Sequence, residues 1–186
     1  MSEKSIKNQT DNNVIKKEGK ILSRVRYLTM TGLMASLITI MTAYICHIPV
    51  GVNGGYIHFG DSLIYLAAVL LPRPYALIAA SIGGGLADIL TAPMWASATI
   101  IIKMLITLPF SNKSTKIVTI RNVFATVLAY FISGLSYFLA DYILFGTWAV
   151  LLVSMSQSLI QSGGSAIFFV VLCYALDRVH IKNRFI

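Results

Sequence analysis

The chain has 186 residues, 56% hydrophobic and only 12% charged, with a formal net charge of +8 and a mean hydropathy of +0.76. Soluble domains carry about 25% charged residues, so this composition excludes a water-soluble globule, and the length suits one membrane unit rather than two domains. The basic residues flank apolar runs, which argues against nucleic acid as their partner.

Residues 1–26 are polar and rich in Lys, Asn and Ser. They lack the short apolar core and cleavage site of a secretory signal, and their composition predicts a retained, disordered basic tail. A helix needs roughly 20 apolar residues to cross a bilayer. The first expected span, Tyr27 to Cys46, contains no charge, and a glycine-rich connection from His47 to Gly60 follows it. A short second span, Asp61 to Pro72, ends at Pro72-Arg73-Pro74. The third, Tyr75 to Ala92, holds Gly83-Gly84-Gly85 and Asp88, and Pro93 divides it from a fourth, Met94 to Phe110, that carries Lys103. After the polar loop SNKSTKIVTIR come a fifth span, Asn122 to Leu144, a turn at Gly146-Thr147, and a sixth span within Leu151 to Leu176. The expected fold is therefore all-α, a polytopic bundle of six transmembrane helices over 27–177, with a second basic tail over 178–186.

Six crossings place 14 of the 15 Lys and Arg residues on one side of the membrane. Positively charged loops resist translocation, so that side is expected to be the cytoplasm, with both termini there. Asp61, Asp88 and Asp141 sit toward the opposite ends of their helices, and Asp177 at the basic end.

Lys103 follows Trp95 by nine positions and so lies about 13 Å deeper along its helix. A charge there costs about 3 kcal/mol or more unless it is paired or faces a wet cavity. It is read as part of a ligand cavity with Asp61 and Asp88, as a structural ion pair, or as a lysine reaching for the basic surface. The 47–60 connection offers Asn53, Tyr56, His58 and Phe59 among glycines that let backbone approach a ligand. It is read either as a lid over a small planar polar molecule or as an ordinary interfacial loop. Gln157 and Gln161 should face the interior, for ligand contact or for bonds between helices. The triple glycine suits close approach of a helix or a ligand, and Gly32, Ala35 and Ser36 form a small-residue stripe for a neighbour within the bundle or on a partner. Cys46 and Cys173 have no metal or disulfide spacing, and His47, His58 and His180 are dispersed. Neither a metal nor another cofactor is expected. No Walker, HExxH or GxSxG sequence occurs.

Two stretches, GGYIHFGDSLIYLAAVLLPRP from Gly54 and GGGLADILTAPMWASATIIIK from Gly83, together resemble the substrate-binding S components of energy-coupling factor (ECF) vitamin transporters. The riboflavin-type group, with its hydroxymethylpyrimidine and pyridoxine members, is the one they resemble. This resemblance implies a non-enzymatic protein that captures a water-soluble vitamin or precursor near the outer face. It also implies association with a transmembrane T component and two ABC ATPases. Binding residues carried over are Asn53, Tyr56, His58, Asp61, Asp88, Trp95, Lys103 and Gln161. Contact with the T component falls on Gly32, Ala35 and Ser36, a Gly/Ser version of the family's alanine pair. Other readings are a queuosine-precursor or nucleobase-like ligand, a small intramembrane enzyme, and a structural partner of a larger complex.

Overall fold

The structure, a computed structural model, describes residues 3–45, 47–50 and 55–182. Six α-helices account for most of them: α1 (Glu3–Ala43), α2 (Gly60–Leu70), α3 (Arg73–Thr91), α4 (Ala96–Leu105), α5 (Ile120–Phe145) and α6 (Val150–Arg178). One 3-10 turn, Pro93–Trp95, leads into α4. Four helices are long and apolar enough to cross a membrane: 15–43 of α1, and the whole of α3, α5 and α6. The two short ones, Gly60–Leu70 and Pro93–Leu105, are apolar but fall below that length.

Two departures from the sequence expectation stand out. The basic segment expected to be a disordered tail is helical from Glu3 onward and continuous with the first span. Nucleating a helix is the costly step, whereas extending an existing one adds a hydrogen bond for each residue fixed, and Ile, Lys and Glu at 15–18 offer no breaker. The connection expected to be a loop carries a small antiparallel hairpin, β1 (Ile48–Val50) and β2 (Gly55–Ile57), in the register Ile48↔Ile57, Pro49↔Tyr56 and Val50↔Gly55. Ile, Val and Tyr favour such extended pairing.

Helix ends follow local chemistry. The Thr119 hydroxyl accepts from the Asn122 amide at the start of α5, and Gly146 closes that helix in the left-handed region at φ +67°. Pro72 and Pro74 divide α2 from α3, since neither can donate to a helix ladder.

The core is built around α2. Ile64, Tyr65, Ala67 and Val69 are fully buried, as are most of their helical neighbours. A helix apolar on every side is stable only when other helices surround it. Tyr65 stacks on Phe110 at 4.8 Å between ring centroids and meets Phe169 edge-on at 5.8 Å.

Helix α3 is wedged between α1 and α4 by its three glycines. A Cβ at Gly83 would lie 2.7 Å from the Ile38 Cβ and 2.9 Å from the Ala35 carbonyl. At Gly84 it would meet the Lys103 Cγ at 2.7 Å, and at Gly85 the Ile100 Cγ1 at 2.6 Å. Close packing on both faces is thus the role these residues play. The Gly83 carbonyl also accepts a hydrogen bond from Thr39 at 3.0 Å. Gly83→Leu is expected to lower the detergent melting temperature sharply, since overpacking costs about 1–3 kcal/mol or more, while Gly163→Leu, which faces open space, should leave it unchanged.

The basic segments gather at one end of the bundle. Tyr27 of α1 packs on Tyr75 of α3, and Asn112 donates to the Leu71 carbonyl at 3.0 Å. Asp177 at the end of α6 accepts from the Ile117 and Val118 amides at 2.8 and 2.9 Å. The α1 start, the α2–α3 turn, the α4–α5 loop and the α6 end therefore share one end, as the charge pattern requires. The hairpin and the 3-10 turn occupy the other, together with aromatic pairs such as Tyr142–Trp148 and Trp95–Phe145.

Candidate functional site

A polar cavity of about 80 Å³ lies at the end away from the cations, lined from α3, α4, α5 and α6 and by His58. Its centre is the ion pair expected among the alternatives for Lys103. The ammonium bonds the Asp61 carboxylate at 2.6 Å, and both side chains are almost wholly buried. This geometry excludes a lysine reaching for the basic surface. Lys103 also stands 5.7 Å from the centroid of the Tyr137 ring, whose hydroxyl is 2.9 Å from Thr99 Oγ1.

Gln161 ties the hairpin's exit to this centre. Its amide oxygen accepts from the His58 backbone N–H at 2.7 Å, and its NH2 group reaches Asp61 at 3.3 Å and His58 Nδ1 at 3.2 Å. The Gly60 amide donates to His58 Nδ1 at 2.9 Å, so Nδ1 acts as an acceptor and a neutral ring carries its proton on Nε2. A side chain at Gly60 would collide with Thr42 and with His58. Glycine is required there by close approach.

Asp88, Trp95, Lys103, His58 and Gln161 all line the cavity, and Asp61 stands directly behind it through the ion pair. Asn53 lies outside the described residues; Tyr56 sits in β2 opposite Pro49, its side chain outside the description. Phe59, which looked available for a ligand, instead stacks on Phe168 at 6.0 Å and fills the space over Gly164. The expected partner stripe divides. Ala35 is buried against α3, while Gly32 and Ser36 are exposed, and a Cβ on Gly32 would touch nothing.

Ser133, Tyr137, Ser154 and Ser158 complete the lining, with Asp141 and Gln157. The sequence reading overlooked those four. Their signal was spacing: 133, 137 and 141 recur every four residues on α5, and 154, 158 and 161 do so nearly on α6, each a polar stripe on an apolar helix. Ser154 donates to the Asp141 carboxylate and to the Val150 carbonyl. Trp95 is buried, and its indole N–H has no hydrogen-bond partner among the described residues. An unpaired buried donor is costly, and a ligand acceptor in the cavity would satisfy it.

The Lys103 charge is matched by Asp61, and Asp88 and Asp141 add carboxyl groups to the wall.

Residues 23–178 match the family model of the ECF-type riboflavin transporter S component. The chain belongs to that family. An uncharacterized protein from the gap 3′ region of Pyrococcus woesei is 34% identical over 109 residues, which cover 57% of this chain and 72% of that protein. The ECF S-component family groups membrane-embedded, multi-pass transport components, not enzymes, and membership agrees with the four long apolar helices. It associates the chain in general terms with a vitamin-like ligand, a T component and ABC ATPases.

Proposed function

We propose that this S component captures a small, flat, donor-rich vitamin or precursor, of the riboflavin, hydroxymethylpyrimidine or pyridoxine kind, from the side of the membrane opposite its basic end. The basic end faces the cytoplasm by the charge rule, with six crossings and both termini inside. The observation that carries this reading is the cavity lined by polar side chains at the end away from the basic segments, bordered by a hairpin exit pinned to Gln161. Trp95 and Tyr137 supply aromatic surface for a heterocycle, and Asp88 and Asp141 supply acceptors for its donors. The cavity is smaller than the roughly 300–1,000 Å³ that usually encloses a drug-sized ligand. Entry of a bicyclic or larger ring therefore requires the hairpin to lift. The chain has no ATP-binding motif of its own, so uptake depends on a T component and two ATPases, with Gly32 and Ser36 on the exposed face of α1 as the contact.

The Asp88 and Asp141 carboxyl groups on the wall also suit a second ligand within this class, an amine-bearing queuosine precursor or similar base. Mass spectrometry of molecules released from the purified, detergent-solubilised protein distinguishes these ligands. A heterocyclic vitamin or base bound at one per chain supports the reading; recovery of no such molecule, together with no binding from a vitamin panel, would overturn it. Asp88→Asn is expected to weaken capture of the identified ligand about ten- to a hundredfold, the worth of one hydrogen bond to a charged group, with membrane insertion intact. Titration calorimetry on the variant reads this directly.

A further inference from the structure

A second, larger cavity lies at the other end. It encloses about 270 Å³ between the α2–α3 turn, the α4–α5 loop and the start of α5, and Arg73, Lys113 and Arg121 line it. Thr107, Ser111 and Asn112 add polar groups. No carboxylate among the described residues lines this space, and the buried Lys103–Asp61 salt bridge lies at the opposite end. Asp177, at the end of α6, already spends both carboxylate oxygens on the Ile117 and Val118 amides.

The frame around the cations is built without their help. Asn122 is fully buried; its side chain accepts from the Ser111 amide at 3.0 Å and donates to the Ser111 and Ile117 carbonyls at 3.1 and 3.0 Å. Asn112 fastens the same loop to Leu71. Arg73, Lys113 and Arg121 are all exposed and hold no part of this frame. Three like charges around one hollow repel one another, and no acidic side chain among the described residues lines its wall. Two guanidinium forks and an ammonium are the donor set that matches a phosphate, by bidentate bonds and a point charge.

We infer that this basic-end cavity is a binding site for a phosphate-bearing anion, either the headgroup of an anionic phospholipid or a free phosphate in solution. The site is independent of the vitamin cavity and of the ligand bound there. The test uses the whole protein in nanodiscs of phosphatidylcholine, with and without phosphatidylglycerol. A parallel arm adds inorganic phosphate to the neutral nanodiscs, with chloride at equal ionic strength as control. Melting temperature and lipid retained in native mass spectrometry are read for the wild type and for Arg73→Gln, Lys113→Gln and Arg121→Gln, singly and combined.

A lipid site predicts that phosphatidylglycerol raises the melting temperature and stays bound, with about tenfold weaker retention for each cation removed. A free-anion site predicts the same pattern with inorganic phosphate alone. The single variants keep the test decisive should the triple variant fail to fold. The inference falls if neither ligand stabilises the wild type, or if stabilisation survives unchanged in the variants.

Discussion

Lys103→Met alone should cost the bundle roughly 3–5 kcal/mol, whereas Lys103→Met combined with Asp61→Leu should recover most of that loss. The asymmetry follows from burial. Both charged groups are hidden from water and bonded at 2.6 Å, so removing one leaves the other stranded where solvation is poor. Removing both takes away the cost along with the attraction. Gln161 donates to the remaining Asp61 oxygen at 3.3 Å, too little to replace an ammonium. Thermal unfolding in detergent separates the cases: equal melting temperatures for the single and double variants would show that the two charges do not compensate one another. Ligand capture should stay impaired in the double variant even where stability returns, because Lys103 lines the cavity.

Gln161→Leu should release ligand about ten- to a hundredfold faster with little change in helix content. One amide holds the His58 backbone and the Asp61 carboxylate together. Leucine fills the same space but leaves the buried His58 N–H unpaired, at a cost of about 1–3 kcal/mol. The β2–α2 junction then loses its anchor on α6, and the hairpin opens more often. Dissociation measured by dilution into excess unlabelled competitor reads the effect; an unchanged rate would mean that the hairpin does not gate the cavity.

Much of this architecture was legible because membrane helices announce themselves through long uncharged runs. The third, fifth and sixth spans matched their helices within about two residues, and Arg73, Lys113, Arg121 and Arg178 come from three segments that share one end. The fourth helix was overextended: α4 ends at Leu105, and apolar residues as far as Phe110 continue into the turn because they pack on the core. The helical course of residues 3–26 was hidden, since composition reports solvation and not whether a neighbouring helix will propagate. Within the site, Asp61, Asp88, Lys103 and Gln161 were visible as polar groups that lipid would penalise. Serines carry no such alarm, because a hydroxyl can satisfy itself on its own helix, as Ser154 does with Val150. Nor does sequence order reveal that Ala35 turns inward while Gly32 and Ser36 turn away.

The unequal helix lengths make the protein's hydrophobic height uneven around its perimeter. Helix α2 escapes the difficulty because its neighbours enclose it, but Ile100, Ile101 and Leu105 of α4 remain uncovered. The segment from Pro93 to Leu105 spans about 20 Å at 1.5 Å per residue, against a hydrocarbon thickness near 30 Å. Lipids beside α4 must shorten or tilt to meet it, while those beside α5 and α6 find full-length partners. A thinner bilayer is therefore expected on one flank, that of the segment bearing Trp95 and Lys103, so varying acyl-chain length should change ligand affinity, which binding in nanodiscs of short- and long-chain lipids would check.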